Sequence, residues 1–252
     1  MSAFTSRSHP HPPLRGTLSL EGEGRQPRFG GQLRALLWKE MLVEARGRET
    51  VLASVVFALL VLVIFNFAFD LRVENVAEVA PGVLWVTVTF AGVLGLGRAF
   101  ARERDRRTLD GLLLAPVDRS ALYLAKMIAS FGSMLVVEIV VVPAFIGLFN
   151  VSVSLPLLIT GLLLGTLGLA GVGTLFAAIA AHTRAREILL PLLLFPIQVP
   201  VILATVKASG AAIHVPGTQP PDIGQWLGLL VAFDALFLSL SVLLFAYVIE
   251  EE

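Results

Sequence analysis

The sequence predicts an all-α integral membrane protein with six transmembrane helices. Of its 252 residues, 56% are hydrophobic and 15% are charged, and the mean hydropathy is +0.83. Soluble domains carry about 25% charged residues, so this chain has too few charges to cover a water-facing surface. Six apolar stretches also approach the roughly 20 residues that a helix needs to cross a hydrocarbon core about 30 Å thick.

The distribution of basic residues predicts the orientation of these helices. The six apolar stretches are residues 51–69, 81–97, 127–149, 156–181, 188–206 and 226–247. The connections 70–80, 150–155 and 207–225 hold only Arg72 and Lys207, whereas the other side holds the remaining 17 of the 19 basic residues. Because Lys and Arg mark the cytoplasmic side, both termini are predicted to be cytoplasmic. Trp85 and Trp226 are then predicted near the outer leaflet, in an aromatic belt.

Residues 1–31 are predicted to be a disordered cytoplasmic tail, followed by a transmembrane domain at 32–252. The tail is rich in Pro, Gly and Ser and has no periodic apolar face. His9 and His11 lie among prolines in this tail, and we predict no metal site there. The chain has no cysteine, which excludes disulfides, thiolate catalysis and Cys-ligated metals.

The stretch LRALLWKEMLVEARGRE at 33–49 predicts an amphipathic helix. Leu33, Leu36, Leu37 and Met41 follow helical spacing, and the intervening positions are largely polar. We therefore expect this helix to lie along the membrane interface, with Trp38 at the level of the lipid headgroups. The alternative is a soluble extension that packs on a partner protein.

The connection between the second and third stretches combines charge with exposed leucines. The run RAFARERDRR at 98–107 predicts a charged helical extension of the second span. The run TLDGLLLAP at 108–116 predicts a short apolar turn that ends at Pro116, since proline disfavours helix at the preceding residue. Asp118 is predicted to be the N-cap of the next helix, because its carboxylate can accept from a free backbone N–H.

This connection is predicted to be a cytoplasmic docking loop. Its leucines need a covering surface, and the charges around them can fix the register of a partner protein. The alternative is a basic loop whose leucines dip into lipid, which explains the arginines but not the acidic residues. The candidate contact residues are Glu103, Arg104, Asp105, Asp110, Leu113 and Pro116.

Two carboxylates fall within the apolar stretches. Glu138 lies near the middle of the third stretch, where an ionised carboxylate costs at least about 2.5 kcal/mol. We expect it to face the bundle interior, contact a partner helix or carry a proton. Asp234 lies within the sixth stretch. The two residues are interpreted either as a polar interface or conformational switch, or as a structural hydrogen-bonded pair.

The fourth and fifth stretches carry small and helix-bending residues. Glycines spaced by four and three residues let helix backbones approach closely, which predicts a packing face within the chain or in a dimer. Prolines remove backbone donors, so we expect the fifth span to bend. The residues are Gly161, Gly165, Gly168 and Gly171 in the fourth stretch, and Pro191, Pro196 and Pro200 in the fifth.

Three segments resemble the CcmB family, the membrane subunit of the bacterial haem exporter of cytochrome c maturation. They are APGVLWV at 80–86, ERDRRTLDGLLLAPVDRSALYLAK at 103–126 and LLPLLLFPIQVPVIL at 189–203. The helix LLWKEMLVEARGRE at 36–49 is similar to the basic start of that family. The charged and leucine-rich loop is also typical of other ABC-2 type permeases, whereas PGVLW and PLLLFPIQVPV point to CcmB. The tail has no counterpart, and the loop 208–225 is longer than the family's norm.

The resemblance implies an ABC-2 type permease of the bacterial inner membrane without a catalytic site of its own. A separate CcmA-like ATPase would bind the loop from Glu103 to Pro116. A CcmC-like haem-handling subunit, a small CcmD-like helper and a periplasmic CcmE-like haem chaperone would be further partners. Haem is then a cargo rather than a bound cofactor, and His182 and His214 lie outside the apolar stretches. The chain lacks the GxxxxGK[ST] phosphate loop.

Other functions stay open at this point. An ABC-2 type permease that exports another amphiphile, such as a lipid or drug, would have a similar loop. A scaffold could transmit ATPase motion without a translocation path. An intramembrane enzyme would need HExxH, GxSxG or paired intramembrane aspartates, and none of these motifs occurs. The zero formal net charge gives no indication of a nucleic-acid partner.

Overall fold

The long helices form one bundle. The computed structural model describes residues 29–70, 76–105, 118–181, 183, 185–213 and 223–250. The helices of these residues are α1 Phe29–Arg46, α2 Arg48–Asp70, α3 Val76–Asp105, α4 Arg119–Phe149, α5 Leu155–Ala181, α6 Arg186–Ala212 and α7 Ile223–Glu250.

Helices α2 to α7 are each long and apolar enough to cross a membrane. Their candidate spans are Arg48–Phe69, Glu78–Arg98, Arg119–Phe149, Leu155–Ala181, Ile188–Ala212 and Ile223–Val248. The six predicted transmembrane helices are therefore confirmed, and the chain is a multi-pass membrane protein. The predicted tail lies outside the described residues, except for 29–31, which form the start of α1.

Helix α5 lies at the centre of the bundle because its small residues let four neighbours approach. It packs against α3, α4, α6 and α7, and 72% of its span is buried, compared with 17% for α2. Gly161 and Gly165 face side chains of α6, whereas Gly168 and Gly171 face side chains of α7. The predicted close packing is confirmed within the chain. The glycines lie on two faces of α5, one against α6 and one against α7, rather than on a single face.

Consecutive long helices run in opposite directions, which gives the bundle two end faces. The α1 face, as we call it, contains α1, the starts of α2, α4 and α6, and the ends of α3, α5 and α7. The Asp118 backbone N–H donates to Gln32 Oε1 at 3.0 Å, and Arg119 Nη1 donates to the Ala246 carbonyl at 3.2 Å. The start of α4 is thus joined to the start of α1 and to the end of α7.

The opposite face is held by contacts between helix ends and short connections. Asn66 Nδ2 of α2 donates to the Leu148 carbonyl near the end of α4, at 2.7 Å. The Ser154 N–H donates to the Ala212 carbonyl at 2.7 Å, which joins the start of α5 to the end of α6. These bonds satisfy backbone carbonyls that a helix end leaves without a partner.

Helix α1 packs on α4 through a stripe that differs in one position from the predicted face. Leu36 is buried and Leu33 and Leu37 are half-buried against the core, but Met41 is 56% exposed. Glu40 takes the next position of the stripe, seven residues after Leu33, and is buried. A charged residue is tolerated there because α4 supplies a lysine opposite it.

Trp85 is not in an aromatic belt, and that prediction is wrong. Its side chain is 1% exposed, and its indole Nε1 donates to Ser209 Oγ of α6 at 2.8 Å. The ring fits against α5 at Gly165, where a side chain would collide with it. Trp226 is half-buried and packs against the core. The missing side chain of Gly165 thus leaves room for the Trp85 ring, and Ser209 supplies the acceptor for its N–H.

Two further local predictions are confirmed among the described residues. Helix α3 continues into the charged run as far as Asp105, and Asp118 caps α4, with Oδ1 accepting from the Ser120 N–H at 2.8 Å. Residues 106–107 of the run and the turn predicted at 108–116 lie outside the described residues. Helix α6 runs from Arg186 to Ala212 through its prolines without a break. The bend that these prolines favour stays a prediction.

Candidate functional site

The predicted docking loop is described only at its two ends. Glu103, Arg104 and Asp105 lie in the last turn of α3, and their role in docking stays a prediction. The remaining candidates lie outside the described residues: Asp110, Leu113 and Pro116.

The far end of the loop is attached to the core of the bundle. Residues 106–117 join α3 to α4, and α4 packs against α1, α2, α3, α5 and α7. The start of α4 is fixed by the bonds of Asp118 to Gln32 and of Arg119 to Ala246. The helix that follows this loop is therefore joined at its start to both α1 and α7.

Glu138 lies on α4 and faces the bundle interior. It is 5% exposed, and its Oε1 accepts a hydrogen bond from Thr166 Oγ1 of α5. Its neighbour Ile139 is 71% exposed on the outer surface of the bundle. A buried carboxyl that accepts from a hydroxyl is partly compensated for the loss of water.

Asp234 lies on α7, pressed against the backbone of α5. It is 5% exposed, and neither carboxyl oxygen has a hydrogen-bond partner among the described residues. A Cβ atom at Gly168 would lie 2.6 Å from Asp234 Oδ1, so only glycine leaves room for this carboxyl. On the α6 side, Gln198 Nε2 donates to the Gly168 carbonyl at 3.1 Å.

Glu138 and Asp234 reach α5 from different directions. Glu138 contacts Thr166, and Asp234 contacts Gly168. Two residues along an α-helix are separated by about 200° of rotation, so the two carboxyls lie on opposite sides of α5. They do not form the hydrogen-bonded pair that was one of the two interpretations of the sequence.

A cleft between α1, α2, α3 and α4 was not predicted from the sequence, and its mainly apolar lining carries eight polar side chains. It is narrow, with a cavity volume of about 40 Å³. Helices α1 and α2 contribute one wall and α4 the other, while α3 closes the back. Its polar lining residues are Glu40, Glu44, Thr50, Ser54, Lys126, Ser130, Ser133 and Glu138.

An ion pair joins the two walls of the cleft. Lys126 Nζ of α4 lies 3.4 Å from Glu40 Oε1 of α1, and Lys39 Nζ lies 2.8 Å from the same oxygen. The Lys126 and Glu40 side chains are 5% and 9% exposed. The sequence held one signal for this ion pair. Glu40 lies seven residues after Leu33 and so continues the apolar stripe of α1, and a charged residue in a buried stripe needs a partner of opposite charge.

The described residues give no indication of a metal centre. Among residues 29–70, 76–105, 118–181, 183, 185–213 and 223–250, no group of three His, Cys, Asp or Glu side chains is placed to hold a metal ion. His182 and His214 lie outside these ranges.

Comparisons with known proteins identify the family. Residues 32–251 match the family model described as CcmB protein. Heme exporter protein B of Rhodobacter capsulatus is 30% identical over 190 residues, which cover 73% of this chain and 87% of that protein. The proteins of that name from Bradyrhizobium diazoefficiens and Pseudomonas aeruginosa are 28% and 26% identical, over 83% and 82% of this chain and 93% and 91% of their own lengths. The chain belongs to the CcmB protein family, as its PGVLW and PLLLFPIQVPV segments indicated.

Proposed function

We propose that this protein is the membrane permease subunit of an ABC transporter that exports haem to the periplasm for the biogenesis of c-type cytochromes. The main support for this proposal is the family match over residues 32–251. Relatives called heme exporter protein B, which the chain matches along 87% to 93% of their lengths, also support it. A permease for another amphiphile is not favoured, since the family model covers almost the whole transmembrane bundle.

The charge distribution supports an inner-membrane protein with both termini in the cytoplasm. Under this orientation the α1 face is cytoplasmic, and Arg34, Lys39 and Arg119 lie on that side. Helix α1 then lies at the membrane interface. Trp38 and Met41, which are 69% and 56% exposed, would enter the lipid beside α4.

The partners follow from the family and from the chain's own motifs. A CcmA-like ATPase would supply the energy, because this sequence has no phosphate-binding loop of the GxxxxGK[ST] kind. It would bind the loop between α3 and α4 and move α4 through the attachments of Asp118 and Arg119. A CcmC-like subunit, a CcmD-like helper and a CcmE-like chaperone would receive haem, which is the cargo of the complex rather than its cofactor.

The docking assignment is tested by co-purification of the ATPase. The double variant Asp110→Lys/Leu113→Lys replaces one charge and one apolar contact of the loop, and we expect it to lose the ATPase while still inserting into the membrane. A control variant, Ser152→Lys, adds a lysine to the exposed connection on the opposite face and should retain the ATPase. Normal recovery of the ATPase with the double variant would refute the docking assignment.

The haem assignment is tested by covalent haem attachment in the bacterium that encodes the chain. Removal of the protein should abolish haem-stained c-type cytochromes. A permease for another amphiphile would leave the stained bands unchanged.

A further inference from the structure

One side of α4 forms a polar path from the α1 face towards the middle of the membrane. Lys126, Ser130 and Ser133 line the cleft and follow one another at intervals of four and three residues, which places them on the same helix face. Glu138 also lines the cleft, at its inner end and about 120° round α4 from Lys126. Twelve residues of helix separate Lys126 from Glu138, a length of about 18 Å, which exceeds half of a hydrocarbon core about 30 Å thick.

The opposite wall is also polar. Thr50 and Ser54 of α2 line the cleft, as do Glu40 and Glu44 of α1. Ser54 Oγ donates to the Ala91 carbonyl of α3 at 3.3 Å. Hydroxyl groups both donate and accept hydrogen bonds, so these two walls can hold a chain of water molecules, each of which needs two to four polar partners.

Glu138 is positioned to interact with such water. Its Oε1 accepts from Thr166, and its carboxyl makes no other hydrogen bond with the described residues. The residue lines the cleft. Its Oε2 is not fully buried, whereas both carboxyl oxygens of Asp234 are buried without a hydrogen-bond partner. Oε2 is thus the atom at which water can deliver or remove a proton.

We propose that the cleft is a water-filled path open at the α1 face, and that Glu138 is a proton-binding site at its inner end. The path does not depend on the transported cargo; the proposed function enters only in naming the α1 face as cytoplasmic. When a proton from the water chain binds at Oε2, Oε1 changes from a charged to a neutral acceptor for Thr166. Because hydrogen bonds to ionised groups are about twice as strong as neutral ones, proton binding loosens the contact between α4 and α5.

The titratable groups that line the cleft come from α1 and α4. The acidic lining residues are Glu40 and Glu44 from α1 and Glu138 itself, whereas Lys126 of α4 is the basic one among the described residues. Helices α2 and α3 contribute Thr50, Ser54 and apolar or glycine residues to the lining, and α5 contributes the Thr166 hydroxyl to the Glu138 carboxyl.

Single-cysteine variants test the water path, because the native chain has no cysteine. Ser133→Cys places a thiol in the cleft. Ile139→Cys places one on the 71% exposed outer surface of the same helix, six residues further along α4, as the control outside the cleft. Ala35→Cys, on the exposed side of α1, reports which side of the membrane the α1 face occupies.

The variants are treated with a charged, membrane-impermeant thiol reagent in right-side-out and inside-out vesicles. A thiol reacts as the hydrated thiolate. We therefore expect Ser133→Cys to react on the order of 50-fold faster than Ile139→Cys, and from the same side as Ala35→Cys. Equal rates for the two α4 variants would refute the path. Reaction of Ala35→Cys and Ser133→Cys together from the periplasmic side would support the path and refute the proposed orientation instead.

The proton site is tested with a hydrophobic carbodiimide, which reacts with protonated carboxyl groups. Mass spectrometry of the intact purified protein should find the adduct on Glu138, more at low than at high pH, and Glu138→Gln should lose it. Absence of an adduct on Glu138 at every pH, in preparations where Ser133→Cys is labelled, would refute proton binding.

Discussion

Replacing Gly168 of α5 by alanine places a methyl group in the contact between α5 and α7. The added Cβ would lie 2.6 Å from Asp234 Oδ1 and 3.7 Å from Phe233 Cδ1. Favourable contacts between heavy atoms occur at about 3.5–4.0 Å, so either the Asp234 side chain or one of the two helices has to move. The carboxyl has little freedom, because both of its oxygens are buried.

The expected cost is the difference between two opposing effects. Inserting a methyl group into a tightly packed site costs about 1–3 kcal/mol, whereas alanine is favoured over glycine in a helix by about 0.8–1 kcal/mol. Gly132 of α4 is a matched control, because a Cβ there meets nothing within 4 Å. Gly168→Ala should therefore be less stable than Gly132→Ala by about 1–3 kcal/mol.

Thermal unfolding of the detergent-solubilised protein, followed by the loss of the monodisperse peak, measures this difference. A change of 1 kcal/mol shifts the midpoint of a 150–250-residue domain by about 2–4 °C. The double variant Gly168→Ala/Asp234→Ala should recover most of the loss, since it removes the atom with which the methyl group collides. Equal midpoints for Gly168→Ala and Gly132→Ala would refute the packing of Asp234 on Gly168.

Three further predictions concern stability. Glu40→Leu removes the carboxylate that pairs with the buried Lys126 ammonium and should lower the free energy of unfolding by up to about 3 kcal/mol. The double variant Glu40→Leu/Lys126→Met should recover part of this loss in the same thermal assay. Equal midpoints for the single and double variants would contradict the pairing. Ser209→Ala should cost about 1–3 kcal/mol because it leaves the Trp85 N–H buried without an acceptor, and Trp85→Phe/Ser209→Ala should not suffer that additional loss. Asp118→Ala removes the cap of α4 and should cost about 1 kcal/mol, while Asp118→Asn should cost less; equal losses would refute the capping role.

Local chemistry was predictable from the sequence. The six spans were evident because a membrane helix needs a long apolar run whatever its neighbours are. Asp118 was identifiable as a cap because its oxygen bonds to backbone N–H groups two residues away. The helical continuation to Asp105 also follows from short-range preferences.

Contacts between distant residues were not predictable in the same way. Tryptophan is a residue type that is enriched in aromatic belts. Trp85 is nevertheless buried, because Gly165 and Ser209 on two other helices make room for its ring and accept its N–H. The pairing of Glu40 with Lys126 joins residues 86 positions apart. Hydropathy and periodicity describe one helix at a time, whereas the cleft exists only where four helices meet.

The central claim is that this chain serves haem export, and haem staining of membrane proteins tests it most directly. The bacterium that encodes the chain is compared with a strain lacking it, with the same strain carrying a restored copy, and with one carrying Asp110→Lys/Leu113→Lys. We predict that the bands of covalent c-type cytochromes disappear in the deletion strain, return with the wild-type copy and stay absent with the double variant. Unchanged bands in the deletion strain would contradict the assignment to haem export.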